Sequence, residues 1–240
     1  MNSVIVSDLH IGSQYFLFQN FERFLINLPD DSELVLNGDT LDNPYSKLVL
    51  SHKRILKLIE KISYEQSVIW VYGNHDNGYI PNDLGQIQFK STHTVGDRIL
   101  ITHGDMFDKI MPRHRFFIWA FRLMYNLRLK IGAKPMHVAH YAKKWKYLYK
   151  VLCNNVMTNA VNYAQENGFV AITCGHTHFP QDVALNGVRY INTGSWTEFP
   201  VYYLRVNDND MDLNKIDDSL SPRCIDIAMK TAREPKLYYA

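Results

Sequence analysis

Residues 4–10 read VIVSDLH, a short apolar run of β-branched residues followed at once by polar ones. Such a run is typical of a buried β-strand. Asp8 and His10 come directly after it, and side chains two positions apart lie on the same face of an extended segment. The end of this strand can therefore supply two neighbouring donor groups to one ligand.

The alternation of strand and helix signals continues along the chain. Apolar runs at residues 34–36 and 68–71 predict two more buried strands. Apolar side chains at near-helical spacing predict helices over residues 16–28 and 46–62, between the strands. A strand–helix–strand order of this kind predicts a parallel sheet covered by helices.

The second part of the chain predicts more strands around a long helical stretch. Residues 107–165 are expected to be helical, with a break near Gly132 and Pro135. Further strands are expected at residues 89–95, 98–102, 169–173, 183–185, 188–191 and 201–206. We therefore predict an α/β fold over residues 1–206, in which two sheets with helices outside are interrupted by the helical insertion. A polar, loosely held tail is expected over residues 207–240.

Five polar segments each come immediately after a predicted strand. In α/β sheets, the carboxyl ends of parallel strands are where ligands bind. Packing does not explain why polar residues would recur at five such positions. The segments are Asp8-Leu9-His10, Gly38-Asp39, Gly73-Asn74-His75-Asp76, His103-Gly104-Asp105 and Gly175-His176-Thr177-His178.

The chemistry of these segments predicts a pair of metal ions. Taken alone, each segment has an ordinary explanation, because Asp, Asn and Gly are common in turns. Together they offer carboxylate, amide and imidazole ligands, which suit manganese, iron or zinc. Asp39 can bridge two ions and hold them about 3.5–4 Å apart. We therefore predict two divalent ions, with Mn²⁺ as the first choice and iron and zinc as alternatives. The glycines before Asp39, Asn74 and His176 would let the backbone approach the ions without a clashing Cβ.

This ordered set of segments resembles the motifs of the calcineurin-like metallophosphoesterase superfamily. The resemblance covers roughly residues 1–206 apart from the helical insertion. It implies a four-layer α/β/β/α sandwich and a metal-dependent phosphoesterase activity. By the same resemblance, Asp39 bridges two ions and His75 sits beside them without binding them. The first ion would be held by Asp8, His10 and His178, and the second by Asn74, His103 and His176.

His75 and Asp76 are the predicted catalytic residues. His75 is the candidate to stabilise the transition state or to protonate the leaving oxygen. Asp76 is expected to orient His75 by a hydrogen bond, with the capping of a turn as the alternative. Asp42 and Asp105 lie close to ligands in the sequence and could support a metal-bound imidazole or cap a loop. For Asp42 we favour the capping role.

The insertion concentrates the basic charge of the protein. Residues 109–165 contain eleven Lys or Arg and no Asp or Glu, which leaves 15 basic against 24 acidic residues elsewhere. Aromatic residues interleave with these charges. The segment could lie on an anionic membrane surface. It could also cap the metal site and hold an acylated, anionic substrate, bind single-stranded nucleic acid by stacking and charge, or simply pack its aromatic side chains on the sandwich.

Within the superfamily, the chain is similar to the UDP-2,3-diacylglucosamine hydrolase group. The similarity rests on the compact size, on the segment HGDMFD at residues 103–108 and on the helical insertion that follows it. It implies cleavage of the pyrophosphate of a lipid-linked nucleotide, with release of UMP. Arg113, Arg115 and Arg122 would then pair with phosphate. The alternatives are a soluble phosphodiesterase or nuclease that acts on nucleic acid or nucleotides, and a non-catalytic scaffold of the same fold.

Cysteine content and hydropathy indicate the setting of the protein. The three cysteines are widely spaced and form no Cys-x-x-Cys pair, which argues against a disulfide framework or a zinc ribbon. No basic segment followed by a long apolar stretch opens the chain, and no apolar run approaches about 20 residues. We therefore expect a cytoplasmic protein, either free or bound peripherally to the inner face of the membrane.

Overall fold

The structure of the protein is a computed structural model that describes residues 2–79, 84–111, 115–136 and 138–217. Within residues 115–122 and 138–139 it describes the backbone only. Two β-sheets pack face to face, and helices cover the outer face of each sheet. This arrangement confirms the predicted α/β class with two sheets and helices outside.

In the described residues, the first sheet has six strands in the order β11-β10-β1-β2-β3-β4. Helices α1 (Phe18–Ile26) and α2 (Leu50–Glu65) connect the first three strands and pack on the outer face. The strands β1 to β4 are parallel, whereas β10 and β11 pair antiparallel at the opposite edge. Their bounds are β1 (Asn2–Val6), β2 (Ser32–Asn37), β3 (Val68–Val71), β4 (Gln88–Lys90), β10 (Val201–Val206) and β11 (Met211–Ile216).

The second sheet has five described strands in the order β5-β6-β7-β9-β8. Helix α5 (Lys146–Glu166) packs on its outer face through Val156, Ala160 and Val161. Helices α3 (Arg115–Lys130) and α4 (Val138–Ala142) precede α5, so the helical stretch is interrupted in the region of Gly132 and Pro135, as predicted. The strands are β5 (His93–Val95), β6 (Ile99–Ile101), β7 (Ala171–Cys174), β8 (Gln181–Leu185) and β9 (Val188–Asn192).

Alternate residues of the central strands are buried on opposite faces. In β1, Val4 and Val6 contact the helix side, whereas Ile5 lies between the two sheets. In β2, Leu36 likewise contacts the helix side and Val35 lies between the two sheets. Because both faces of these strands are buried, their sequences are continuously apolar. This is why short apolar runs located them correctly.

The single strand predicted over residues 89–95 is in fact two short strands that belong to different sheets. The strand β4 lies parallel to β3 at the edge of the first sheet, whereas β5 pairs with β6 in the second sheet. The chain crosses between the sheets just before His93, whose Nε2–H donates to Glu33 Oε1 at 2.9 Å. The strand-like sequence pattern runs without a break through residues 89–95. It therefore could not show that the first residues of this segment join one sheet and the last residues join the other.

The first sheet continues beyond residue 206, where the sequence predicted the start of a loose tail. Strand β11 pairs with β10 along its whole length, from Val206 opposite Met211 to Val201 opposite Ile216. Ile216 is buried in the apolar cluster beneath the helices. The polar residues between the strands therefore form a hairpin turn. The later part of the predicted tail, from residue 218 onwards, lies outside the described residues.

Candidate metal centre

The loops that follow β1, β2, β3, β6 and β7 meet at one edge of the two sheets. They carry the seven predicted ligands, and sharp backbone turns bring these residues together. Backbone with positive φ costs a non-glycine residue about 1–3 kcal/mol and is concentrated at functional sites. Five of the ligands have positive φ angles: Asp8, His10, Asp39, His176 and His178.

Asp8, His10 and His178 form the first group of ligand atoms. His178 Nε2 lies 3.2 Å from Asp8 Oδ1 and 3.2 Å from His10 Nε2. Two imidazole nitrogens at this distance can share only one proton, whereas both lone pairs can point at one cation. Ligand atoms about 2.0–2.2 Å from an ion lie roughly 3 Å from each other, so these separations fit a divalent ion.

His103 belongs to the second group and is completely buried. Its Nε2 lies 3.3 Å from Asp39 Oδ2, and its Nδ1 lies 3.2 Å from the carbonyl oxygen of Asn37. An Nδ1–H that donates to this carbonyl leaves Nε2 to bind an ion. Burial lowers the pKa of His103, but Asp39 and Asp8 outweigh burial and raise the pKa to about 10. The two carboxylates therefore favour positive charge here, and a metal ion would compete for the position with the proton.

Asn74 and His176 complete the second group. The ring centroid of His176 lies 5.4 Å from that of His103, and His176 Nδ1 lies 3.0 Å from Asn74 Oδ1. Asp39 lies between the groups, because its Oδ2 is 3.9 Å from His10 Nε2 and 3.3 Å from His103 Nε2. Burial raises the pKa of Asp39, but His103 and His10 lower it well below its usual range. An ionised carboxylate shared by both groups is the ligand that two neighbouring ions require. The structure thus brings all seven predicted ligands together.

Two of the loops need glycine because a ligand carboxylate occupies the place of a side chain. A Cβ at Gly175 would lie 2.1 Å from Asp8 Oδ2, and a Cβ at Gly73 would lie 2.2 Å from Asp39 Oδ1. Real Cβ atoms essentially never approach another atom closer than 3.0 Å. Any larger residue at these positions would displace a carboxylate, which agrees with the close backbone approach expected from the sequence.

His75 lies at the open side of the centre, with 39% of its side chain exposed. Its Nδ1–H donates to the carbonyl oxygen of Asp42 at 2.7 Å, and its Nε2 is 3.9 Å from Asp39 Oδ2. The structure contradicts the predicted hydrogen bond from Asp76 to His75. Asp76 is fully buried and accepts hydrogen bonds from four N–H groups, those of Thr40, Leu41, Gly73 and the Trp70 indole. It ties the loop after β3 to the loop after β2, which matches the capping alternative.

Two carboxylates support ligand imidazoles from outside the seven. Asp42 Oδ1 lies 3.1 Å from His10 Nδ1, so Asp42 has the supporting role that we considered and did not favour. Asp108 Oδ2 lies 3.0 Å from His176 Nε2. Asp108 lies five residues after His103, and this nearness is the one feature of the sequence that points to a role for it. Asp105 begins a short 3-10 helix at residues 105–107.

The insertion touches the metal centre through the loops that carry it. The hydroxyl group of Tyr149 on α5 donates to the carbonyl oxygen of Thr177, between two ligands. His140 and Lys143 both contact the carboxylate of Glu198 in the loop after β9. Of the three arginines predicted to bind phosphate, Arg113 lies outside the described residues. Arg115 and Arg122 lie on α3, where the structure describes only the backbone.

Comparison with known proteins found several similar chains. An uncharacterized metallophosphoesterase, YkuE of Bacillus subtilis (strain 168), is 27% identical over 100 residues, which cover 41% of this chain and 32% of that protein. The matched part therefore spans about a third of the length of that curated relative.

Two solved structures that align with this one are described as different kinds of protein. A novel archaeal phosphodiesterase is 15% identical with a TM-score of 0.47, and the match covers 90% of this chain and 99% of that one. Vacuolar Protein Sorting 29 from Cryptosporidium parvum is 12% identical with a TM-score of 0.47, and the match covers 91% of this chain and 98% of that one.

A family profile described as calcineurin-like phosphoesterase matches residues 1–180 of the 240. The matched segment begins before β1 and ends just after His178, so it contains all five ligand-bearing loops. Within these loops, carboxylate and imidazole groups of the described residues lie close enough together to hold a metal ion, as in the group Asp8, His10 and His178. The chain therefore belongs to the calcineurin-like phosphoesterase family.

Proposed function

We propose that the protein hydrolyses a phosphoric ester or anhydride with the help of two divalent ions, Mn²⁺ being the first candidate. The supporting observation is the pair of ligand groups that share Asp39. The first ion would be held by Asp8, His10 and His178, and the second by Asn74, His103 and His176. When bound, such ions neutralise phosphoryl oxygens and lower the pKa of a water molecule.

In this proposal His75 is the residue that handles the leaving group. Its Nδ1–H is committed to the Asp42 carbonyl, so Nε2 is the ring atom that faces the centre. When it is protonated, Nε2 can donate to the leaving oxygen or stabilise charge on the phosphoryl group. The exposure of the ring lets a substrate reach it from solvent.

Replacement of His75 by alanine should lower kcat by about 10²–10⁴-fold, because one proton donor is lost. The number of bound ions should stay the same, since the variant keeps all seven predicted metal ligands. Steady-state kinetics and metal analysis of the same preparation measure both quantities. A suitable control is His93→Gln, which changes a histidine at the crossing between the sheets. An alanine variant with wild-type kcat would remove His75 from the mechanism.

We further propose that the substrate is the pyrophosphate of a lipid-linked nucleotide such as UDP-2,3-diacylglucosamine. The proposal rests on the resemblance of residues 103–108 and of the insertion, and on the character of the insertion surface. On α3 and just after it, four apolar side chains are exposed at helical spacing: Leu123, Met124, Leu127 and Ile131. Arg113, Arg115 and Arg122 would bind phosphate in this proposal.

A panel of substrates tests this choice. Manganese-loaded protein should release UMP from UDP-2,3-diacylglucosamine and act weakly on simple diesters, DNA and RNA. Activity on nucleic acid with none on the lipid nucleotide would instead support a soluble phosphodiesterase or nuclease. Two bound ions without activity on any member of the panel would support a non-catalytic scaffold.

We also propose that the insertion attaches the protein to an anionic membrane at its inner face. None of the helices that the structure describes is long and apolar enough to cross a bilayer. The exposed apolar stripe of α3 is accompanied by the exposed Lys130, a combination that suits an interface with anionic lipid. In flotation assays at low salt, the protein should bind vesicles that contain phosphatidylglycerol, and Leu127→Glu should weaken this binding. Equal recovery of the protein with neutral and anionic vesicles would show that basic residues of the insertion do not attract the protein to anionic lipid.

A further inference from the structure

Asp108 is a buried carboxylate whose two oxygens have different partners. Oδ2 lies 3.0 Å from His176 Nε2, and the side chain is 2% exposed. Oδ1 accepts hydrogen bonds from the backbone N–H groups of Ile110 and Met111, both at 2.9 Å. The orientation of the carboxylate is therefore set by its own chain, independently of His176.

The segment that carries Asp108 is attached to helix α5. The Lys109 backbone N–H donates to Asn155 Oδ1 at 3.1 Å, and Asn159 Nδ2 donates to the carbonyl oxygen of Phe107 at 2.9 Å. Phe107 is buried, with its ring 5.5 Å from that of Tyr163. The residues on both sides of Asp108 are thus fixed to α5 by hydrogen bonds. A side chain that orients a neighbouring ligand must itself be held in place in this way.

We propose that Asp108 is a positioning residue that sets the affinity of the second ion site through His176. Accepting a hydrogen bond from Nε2–H keeps the proton on that nitrogen, so the lone pair of Nδ1 faces Asn74 Oδ1 at 3.0 Å. Asp108 would thereby select the tautomer that can bind the ion. This inference rests on the proposed function, because it requires the two-ion centre.

Asp42 performs the matching task at the first site. Its Oδ1 contacts His10 Nδ1 at 3.1 Å, which turns His10 Nε2 towards His178 and Asp8. The Asp42 side chain is 37% exposed, whereas that of Asp108 is almost fully buried. Solvent screens the Asp42 contact more strongly, so Asp108 should have the larger effect on its own site. In the part of the chain that the structure describes, each proposed ion site is thus supported by a carboxylate outside the seven predicted ligands.

Asp108→Asn separates a tautomeric role from a structural one. Two backbone N–H donors hold the amide oxygen at the Oδ1 position, so the amide NH₂ group would face His176 Nε2. That arrangement favours the proton on Nδ1, the nitrogen that must bind the ion. Asp108→Ala removes the anchors to Ile110 and Met111 as well, but it imposes no tautomer on His176.

The test is a Mn²⁺ titration of the full-length protein by equilibrium dialysis, combined with unfolding in urea. Asp108→Asn should weaken the second ion about 10–100-fold and leave the first ion unchanged. Asp42→Asn should weaken the first ion instead. Asp108→Ala should be the less stable of the two Asp108 variants, yet it should bind the second ion at least as well as Asp108→Asn.

Each other result has a defined meaning. Wild-type affinity for both ions in Asp108→Asn would overturn the role of Asp108. Losses of ion affinity that simply follow the losses of stability would also overturn it, because they indicate a structural effect. A wild-type protein that binds no Mn²⁺ would reject the two-ion centre itself, and with it the proposed function.

Discussion

Replacement of Asp39 by alanine is expected to abolish phosphoesterase activity, with a loss of about 10³-fold or more. Asp39 Oδ2 lies within 4.0 Å of ligand nitrogens from both groups, those of His10 and His103. Without it, neither ion keeps a complete set of ligands, and the several kcal/mol of charge stabilisation that bound ions supply is lost. Asp39 Oδ1 also accepts the backbone N–H of His75 at 2.8 Å, so the loop that carries His75 loses an anchor.

The measurement is kcat on an aryl phosphodiester in Mn²⁺, together with the ion content of the same sample. Asp212→Ala is a matched control, because it removes an exposed aspartate on the edge strand β11. Asp39→Ala should carry fewer than two ions and should not recover at raised Mn²⁺, whereas Asp212→Ala should resemble the wild type. If Asp39→Ala kept both ions and more than a tenth of the activity, Asp39 would not be a shared ligand.

The second large effect is expected at Asp76 and concerns stability. Four N–H donors from two loops point at this buried carboxylate. Replacement by alanine leaves these donors buried without an acceptor, and each such donor costs about 1–3 kcal/mol. Partial filling by water reduces the sum, so the free energy of unfolding should fall by about 3 kcal/mol or more.

Urea unfolding of Asp76→Ala and Asp76→Asn measures this effect. The asparagine variant keeps one oxygen, which can face the three donors that share Oδ2, and it loses only the acceptor for Gly73. Its loss of stability should therefore be clearly smaller. Equal stability of the alanine variant and the wild type would show that Asp76 does not hold the loops, and a selective loss of kcat in a stable variant would return Asp76 to a catalytic role.

The parts of the fold that were predicted correctly depend on local patterns. The buried runs in β1, β2 and β3 are continuously apolar because both faces of each strand are covered. The exchange between sheets before His93 and the pairing of β11 with β10 depend on residues far away in the chain. A segment as polar as β11 is held by backbone hydrogen bonds to a neighbour, which its own composition does not show.

The sequence by itself determined the α/β fold, the order of its first strands and helices, and the seven residues at the strand ends that are predicted to bind metal. These features follow from side-chain periodicity and from the donor chemistry of each residue type, which are properties of short segments. Only the tertiary structure decided which carboxylate serves which imidazole. Asp76 joins the loops after β2 and β3 through hydrogen bonds to their backbone N–H groups. The Asp42 carboxylate contacts the imidazole of His10, and the Asp108 carboxylate contacts that of His176. Hydrogen bonds act over about 3 Å in space, and the residues that they join here lie up to 68 positions apart in the chain.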